Sequence, residues 1–185
     1  DTVRSSFPIA MREMLSKVLD DLLMDVPKEQ LDKFIINFKN SMKLMEFNKI
    51  AIPTSVKGIK KYKSSDGNLF NSYKLRTPVH VKSSIFYNDL LKYLKVSKRY
   101  SKIFDGEKIK WVYLKTNPIG LETIAYKGHE DPPEVLNFIR QYINPEKLYK
   151  QALHKKIMML YEALGWDEPT DASKTIERFF WFWEN

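Results

Sequence analysis

Apolar residues recur at mostly three- and four-residue steps through Ile9, Met11, Leu15, Val18, Leu19, Leu22 and Leu23, the spacing that gathers side chains on one face of an α-helix. Ser5, Ser6 and Pro8 supply start signals, so a first amphipathic helix is predicted over residues 8–24. Val26-Pro27 interrupts the pattern, and a second helix from about Lys28 carries Leu31, Phe34, Ile35, Phe38, Met42 and Met45 on one face. The pair is expected to form an antiparallel hairpin. A methionine-rich stripe suits an adaptable partner groove, but at helical spacing the preferred reading is core.

After Glu46 the texture changes. Phe47, Ile50 and Ile52 predict a short strand, and Lys63-Ser64-Ser65-Asp66-Gly67-Asn68 is a polar turn cluster. Residues 81–95 read as a helix through Ile85, Phe86, Leu90, Leu91 and Leu94. Residues 108–115 alternate apolar and charged positions as a strand does, with Ile109, Val112 and Leu114 directed inward. A short helix is predicted over 132–142, a longer one over 145–164 ended by Gly165, and a last helix or turn over 170–182 capped near Asp171. The expected class is α+β and mainly helical. A helical hairpin occupies 1–46, a small mixed α/β subdomain 47–130, further helices 131–174 and an aromatic tail 175–185.

With 185 residues, 43% of them hydrophobic, the chain is long enough to bury a sizeable core. No apolar run approaches the roughly 20 residues of a membrane-spanning helix, and the N-terminus lacks a signal-peptide pattern, so a soluble, intracellular chain without membrane partners is expected. The absence of cysteine excludes disulfides, thiolate metal sites and cysteine nucleophiles. The first residue is Asp1 and not Met, which predicts a piece processed or cut from a longer polypeptide.

Charge sharpens the picture. The net +8 conceals a concentration: residues 57–115 hold 15 Lys and Arg against 4 Asp and Glu, whereas residues 1–56 balance and residues 116–185 sum to −3. Cations interleaved with Tyr, Phe and Trp are what a phosphate-tracking surface needs, because each neutralised phosphate releases counterions whatever the base sequence. The bland alternative is a solvated lysine-rich face. Catalytic chemistry finds little support. His80, His129 and His154 lack metal-ligand spacing, and no phosphate loop, dinucleotide fingerprint or glycine-flanked serine is present. Asp20 and Asp21, adjacent on a helix, point about 100° apart and are poorly placed to clamp one metal ion. On residues alone the chain reads as a binding module.

Three segments, Thr77-Pro78-Val79-His80-Val81-Lys82, Asp105-Gly106-Glu107-Lys108-Ile109-Lys110 and Asn117-Pro118-Ile119-Gly120, resemble in order and spacing the C-terminal region of phage replicative DNA polymerases of family B. Asp1-Thr2-Val3-Arg4-Ser5-Ser6-Phe7-Pro8 resembles the point where the palm of those enzymes passes into the thumb. The resemblance covers nearly the whole chain, on four short motifs. It implies a polymerase thumb-like fold and the thumb portion, or C-terminal subunit, of a DNA-directed DNA polymerase, a nucleotidyltransferase. Such a thumb holds the primer–template duplex through phosphate contacts behind the active site. The metal-binding aspartates with their Mg²⁺, the fingers and the exonuclease would belong to the rest of the polymerase. This chain alone is therefore expected to be inactive, to bind no cofactor or metal, and to work in the cytoplasm of a phage-infected bacterial host.

The DNA-binding candidates are Arg76, Thr77, His80, Lys82, Ser83, Lys108 and Lys110, with Asn117 shaping the adjoining turn; for His80 a packing role is an equal alternative. Thr175-Ile176-Glu177-Arg178-Phe179-Phe180 resembles the tail with which such polymerases dock into their sliding clamp, making Ile176, Phe179, Phe180 and Trp181 the partner-binding candidates. The further Trp181-Phe182-Trp183-Glu184-Asn185 departs from the usual ending, and folding back onto the core is the alternative for this tail. The rival function is a free-standing basic nucleic-acid-binding accessory protein without catalysis. A weaker one is a structural partner-binding domain whose charge aids solubility.

Overall fold

Proline punctuates this chain. Pro8, Pro27, Pro78 and Pro132 each stand in extended backbone immediately before a helix, where a fixed φ suits the entry and the missing N–H is no loss. The computed structural model describes residues 7–65 and 67–170. Helix α1 spans Ile9–Leu23 and α2 Lys28–Ser41, followed by a 3₁₀ turn at Met42–Leu44. The connection 24–27 turns the chain back so that α1 and α2 touch. Met11, Met14, Leu15 and Val18 are the buried stripe of α1, while Ile9 and Leu23 at its two ends are exposed. On α2, Leu31 and Ile35 are buried, and Phe34, Phe38 and Met45 line a groove of about 330 Å³ with Ala10 and Met14.

The strand predicted around Phe47 begins later. Phe47–Ile50 is a helical turn, α3, whose Phe47 and Ile50 are buried, and strand β1 follows at Ile52–Ser55. Phe47 and Ile50 are three apart, as on a helical turn, and Ile50 and Ile52 two apart, as on a strand, so periodicity over so few residues does not separate them. After β1 come α4 (Ile59–Tyr62), α5 (Val79–Tyr93), β2 (Lys108–Tyr113), β3 (Thr123–Tyr126), α6 (Pro133–Tyr142) and α7 (Pro145–Tyr149). The three strands form an antiparallel sheet in the order β1-β2-β3, with Trp111 of β2 facing Ile52 on one side and Ala125 on the other. The protein is α+β.

Both faces of this sheet are covered. Thr123 and Tyr126, three apart on β3, point to opposite sides. The Thr123 hydroxyl meets Ser83 of α5 at 2.6 Å, whereas the Tyr126 hydroxyl donates to Asn48 of α3 at 2.8 Å, its ring edge-on to Phe47. Consequently Ile109 and Val112, both predicted to face inward, are buried on opposite faces, and Trp111 is buried too. Helix α5 is enclosed nearly all round, from Ser83 through Leu91, between the sheet and the segment 59–73.

The helix predicted over 145–164 is one rod with a change of pitch. A π-helical turn, Lys150–His154, separates α7 from α8 (Lys155–Ala163). It brings Leu148 and Leu153, five residues apart, into the same core as Ile157 and Tyr161. Two buried leucines contribute roughly 1.5–3 kcal/mol each, more than the roughly 1 kcal/mol of a disturbed backbone hydrogen bond, so the wider turn is favoured. Gly165, at φ +68°, ends the rod as expected, and the Trp166 N–H reaches back to the Tyr161 carbonyl at 2.8 Å. Helix α8 is tied to α2 by a buried carboxylate: Asp32 accepts from the Tyr161 hydroxyl at 2.8 Å and from Lys28 at 2.6 Å. No helix among the described residues is long and apolar enough to cross a membrane.

Candidate nucleic-acid interface

The segment leading into α5 is clamped to that helix from beneath. Buried Asp89 accepts from the Phe70 N–H at 3.1 Å and the Ser72 hydroxyl at 2.9 Å, and the Lys74 N–H bonds to the Tyr62 carbonyl at 2.8 Å. The chain then turns sharply. Thr77 donates its hydroxyl to the Lys74 carbonyl at 2.6 Å, and Arg76 sits at φ +63°, a left-handed conformation that non-glycine residues adopt at some energetic cost, with its side chain exposed. Pro78 offers no side-chain cap to α5, so the first-turn N–H groups and the helix dipole add positive potential beside Arg76 and His80.

His80 is half-buried, and burial holds its pKa below the usual histidine value, favouring the neutral ring. Lys82 is the most constrained cation here. Its ammonium lies 4.6 Å from the Tyr73 ring centroid, 5.5 Å from that of Phe86, and 3.1 Å from a carboxylate oxygen of Glu122. Desolvation alone would lower its pKa, but the hydrogen bonds and charges of Glu122 and Tyr73 outweigh that and raise it. Arg76, Thr77, His80 and Lys82 thus gather around one turn and the start of one helix.

Ser83 does not join them, and here the sequence expectation is corrected. It is fully buried, with its hydroxyl 2.7 Å from the Val79 carbonyl and 2.6 Å from Thr123, so no phosphate reaches it. One residue along a helix rotates the side chain by about 100°, which carries Ser83 from the rim occupied by Lys82 into the sheet contact. Asn117 is likewise nearly buried. Its amide donates to the Lys115 and Leu121 carbonyls at 2.8 and 2.6 Å and accepts from the Leu121 N–H, closing the turn that Gly120 completes at φ +75°.

Lys108 and Lys110 lie elsewhere. Strand alternation points them to the side of Tyr126, and Lys110 bonds to the Asn48 carbonyl of α3 at 3.3 Å, on the sheet face opposite α5. Lys108 also stands at the far end of β2, roughly 17 Å along the strand from Tyr113, the partner of Thr123 beside Ser83. The eight residues expected at one surface therefore resolve into a cluster at the start of α5, a pair of lysines on the other sheet face, and two internal hydrogen-bonding residues. Arg140 extends the lysine face, stacking its guanidinium 5.5 Å from Phe47. Sequence reading did not single out Tyr73, Asp89 and Glu122, which set this geometry, and read Asp105 only within a motif, without its role of capping α4 through the Ile59 N–H at 2.7 Å. Only the aromatic interleaving near Tyr73 carried any signal for them.

Of the 15 Lys and Arg in residues 57–115, Lys82 and Lys92 are the two that form ion pairs among the described residues. Most of the remaining cations, among them Lys57, Lys60, Lys63, Arg76, Lys95, Lys98, Lys102 and Lys108, are exposed. A second polar cleft, of about 560 Å³, lies over the π turn and is lined by Lys39, Asn40, Glu146, Tyr149, Lys150, His154 and Glu168. Lys43 bonds Glu146 at 3.0 Å and holds its carboxylate below the usual range. Among the described residues no three His, Cys, Asp or Glu side chains converge as a metal site. The clamp-docking candidates Ile176, Phe179, Phe180 and Trp181, the cap expected at Asp171 and the last helix beyond it lie outside the described residues. No protein-family model matches the chain, and no curated protein sequence matches it.

Proposed function

We propose that this chain is the duplex-holding thumb portion, or C-terminal subunit, of a DNA-directed DNA polymerase, gripping primer–template DNA through phosphate contacts that ignore base sequence. The observation that carries this reading is the excess of cations in residues 57–115, most of them exposed and, among the described residues, only Lys82 and Lys92 paired with a carboxylate. The polymerase assignment itself rests on the ordered motifs at 77–82, 105–110 and 117–120. Arg76, Thr77, His80 and Lys82 serve one stretch of backbone and Lys108 and Lys110 another. Catalysis and its Mg²⁺ belong to a palm-containing partner, and the aromatic tail from Thr175 onward docks a ring-shaped processivity clamp.

The test is duplex affinity measured across a salt series. With about five phosphates neutralised, log K falls against log salt with a slope of about −4 to −5, and Lys108→Ala or Lys110→Ala each reduces that slope by about one unit without changing sequence preference. A flat salt dependence, or strong preference for one base sequence, refutes the reading and favours a base-reading regulator. Primer extension by this chain alone would overturn the division of labour, whereas extension restored by mixing with a palm-containing fragment supports it. Truncation after Thr175 is expected to abolish clamp association and spare duplex affinity.

A further inference from the structure

Lys82 and Glu122 are held unequally. The lysine stem is packed, with 18% of the side chain exposed, and its ammonium sits over the Tyr73 and Phe86 rings, contacts that do not involve the carboxylate. The Glu122 side chain is 71% exposed and is held by this ion pair. Its backbone is fixed, since the Leu114 N–H bonds to the Glu122 carbonyl at 2.9 Å and Asn117 closes the turn just before it. An exposed carboxylate tethered by one screened ion pair is easily displaced, while a ring-packed ammonium stays in position to receive whatever replaces it. The natural replacement is another oxyanion of similar size.

We propose that Glu122 is an internal phosphate surrogate: in the free protein its carboxylate occupies the ammonium of Lys82, and it swings out when a DNA phosphate bonds there. This rests on the duplex-holding reading above and concerns how that grip is tuned. A lysine already neutralised by its own carboxylate adds little net neutralisation when phosphate arrives, so Glu122 weakens binding and flattens its salt dependence. It also keeps the buried lysine stem paired and charged when no DNA is bound. The grip at α5 is thereby graded, which suits a surface that must let duplex slide.

The test is a double-mutant cycle on the full chain, with a mixed-sequence DNA duplex as probe and a salt series as the variable. The four proteins are wild type, Glu122→Gln, Lys82→Met and the double variant. Glu122→Gln is expected to bind about two- to fivefold more tightly in low salt, with a slope steeper by about one unit. In the Lys82→Met background the same substitution is expected to change neither quantity. Glu122→Ala serves as a second variant and should reproduce Glu122→Gln, and urea melts establish that each protein is folded. Equal binding by wild type and Glu122→Gln overturns the surrogate role, and so does a gain that persists without Lys82, which would reflect net charge alone; both leave the duplex-holding reading standing. If none of the four binds duplex, the duplex-holding reading falls and the surrogate role falls with it.

Discussion

Replacing Asn117 by alanine removes three hydrogen bonds from one turn and tests whether that turn is held by side-chain chemistry. In the folded chain the Asn117 amide satisfies both backbone groups of buried Leu121, donating to its carbonyl at 2.6 Å and accepting from its N–H at 3.1 Å, and also donates to the Lys115 carbonyl at 2.8 Å. With Leu121 only 3% exposed, alanine leaves a buried N–H and a buried C=O without these partners. Each orphaned group costs about 1–3 kcal/mol, and partial access of water through the Asn117 position reduces the sum to about 2–3 kcal/mol. For a chain of this size that corresponds to a fall of about 5–10 °C in Tm. Urea and thermal melts followed by tryptophan fluorescence measure it.

Asn117→Asp separates donor from acceptor. The carboxylate still accepts from Leu121 but turns lone pairs toward two carbonyl oxygens, so at neutral pH it should destabilise at least as much as alanine. Those carbonyls raise the carboxyl pKa in the folded state above its unfolded value of about 3.9, because the protonated form can donate. The resulting stability is present below about pH 3.9 and is lost as pH rises through the folded-state value, so the gap to wild type narrows on acidification. A loss under about 1 kcal/mol for Asn117→Ala, or wild-type stability for Asn117→Asp at pH 7, would refute the reasoning.

Ser83→Ala should cost about 1 kcal/mol in a urea melt, since Thr123 keeps its bond to the Val112 carbonyl, and should leave the duplex affinity of the folded protein unchanged. Tyr126→Phe should lose about 1 kcal/mol in a urea melt with its bond to Asn48; unchanged stability would contradict that bond. His80 has a folded-state pKa depressed below 6.5 by burial, so the unfolded chain binds more protons: its contribution is present above pH 6.5 and lost as pH falls, and His80→Gln should flatten that part of a stability–pH curve.

Much of the helical frame was legible in the residues. The three- and four-residue steps of Met11, Leu15 and Val18, the break at Pro27 and the stop at Gly165 are local signals, and α1, α2 and the end of the last rod lie where they predict. The concentration of charge in residues 57–115 was equally plain, being a property of composition. The π turn was hidden, since no local residue preference marks it. It follows from the need to bring Leu148 and Leu153 into one core.

The sequence by itself determined the longer helices, the stop at Gly165, and that positive charge collects in the middle of the chain, because those depend on neighbours within a few positions. The short helical turns Phe47–Ile50 and Ile59–Tyr62 escaped it. Tertiary structure alone decided which of the charged and polar residues share a surface. Adjacent Lys82 and Ser83 part company because a helix rotates about 100° per residue, and Lys110 faces away from α5 because strand alternation and the antiparallel register assign it to the Asn48 side. The pairing of Lys82 with Glu122, forty positions away, arises only once α5 lies along β3. Long-range contacts leave no periodicity in either partner, so their consequences for the interface become readable only when the chain has folded.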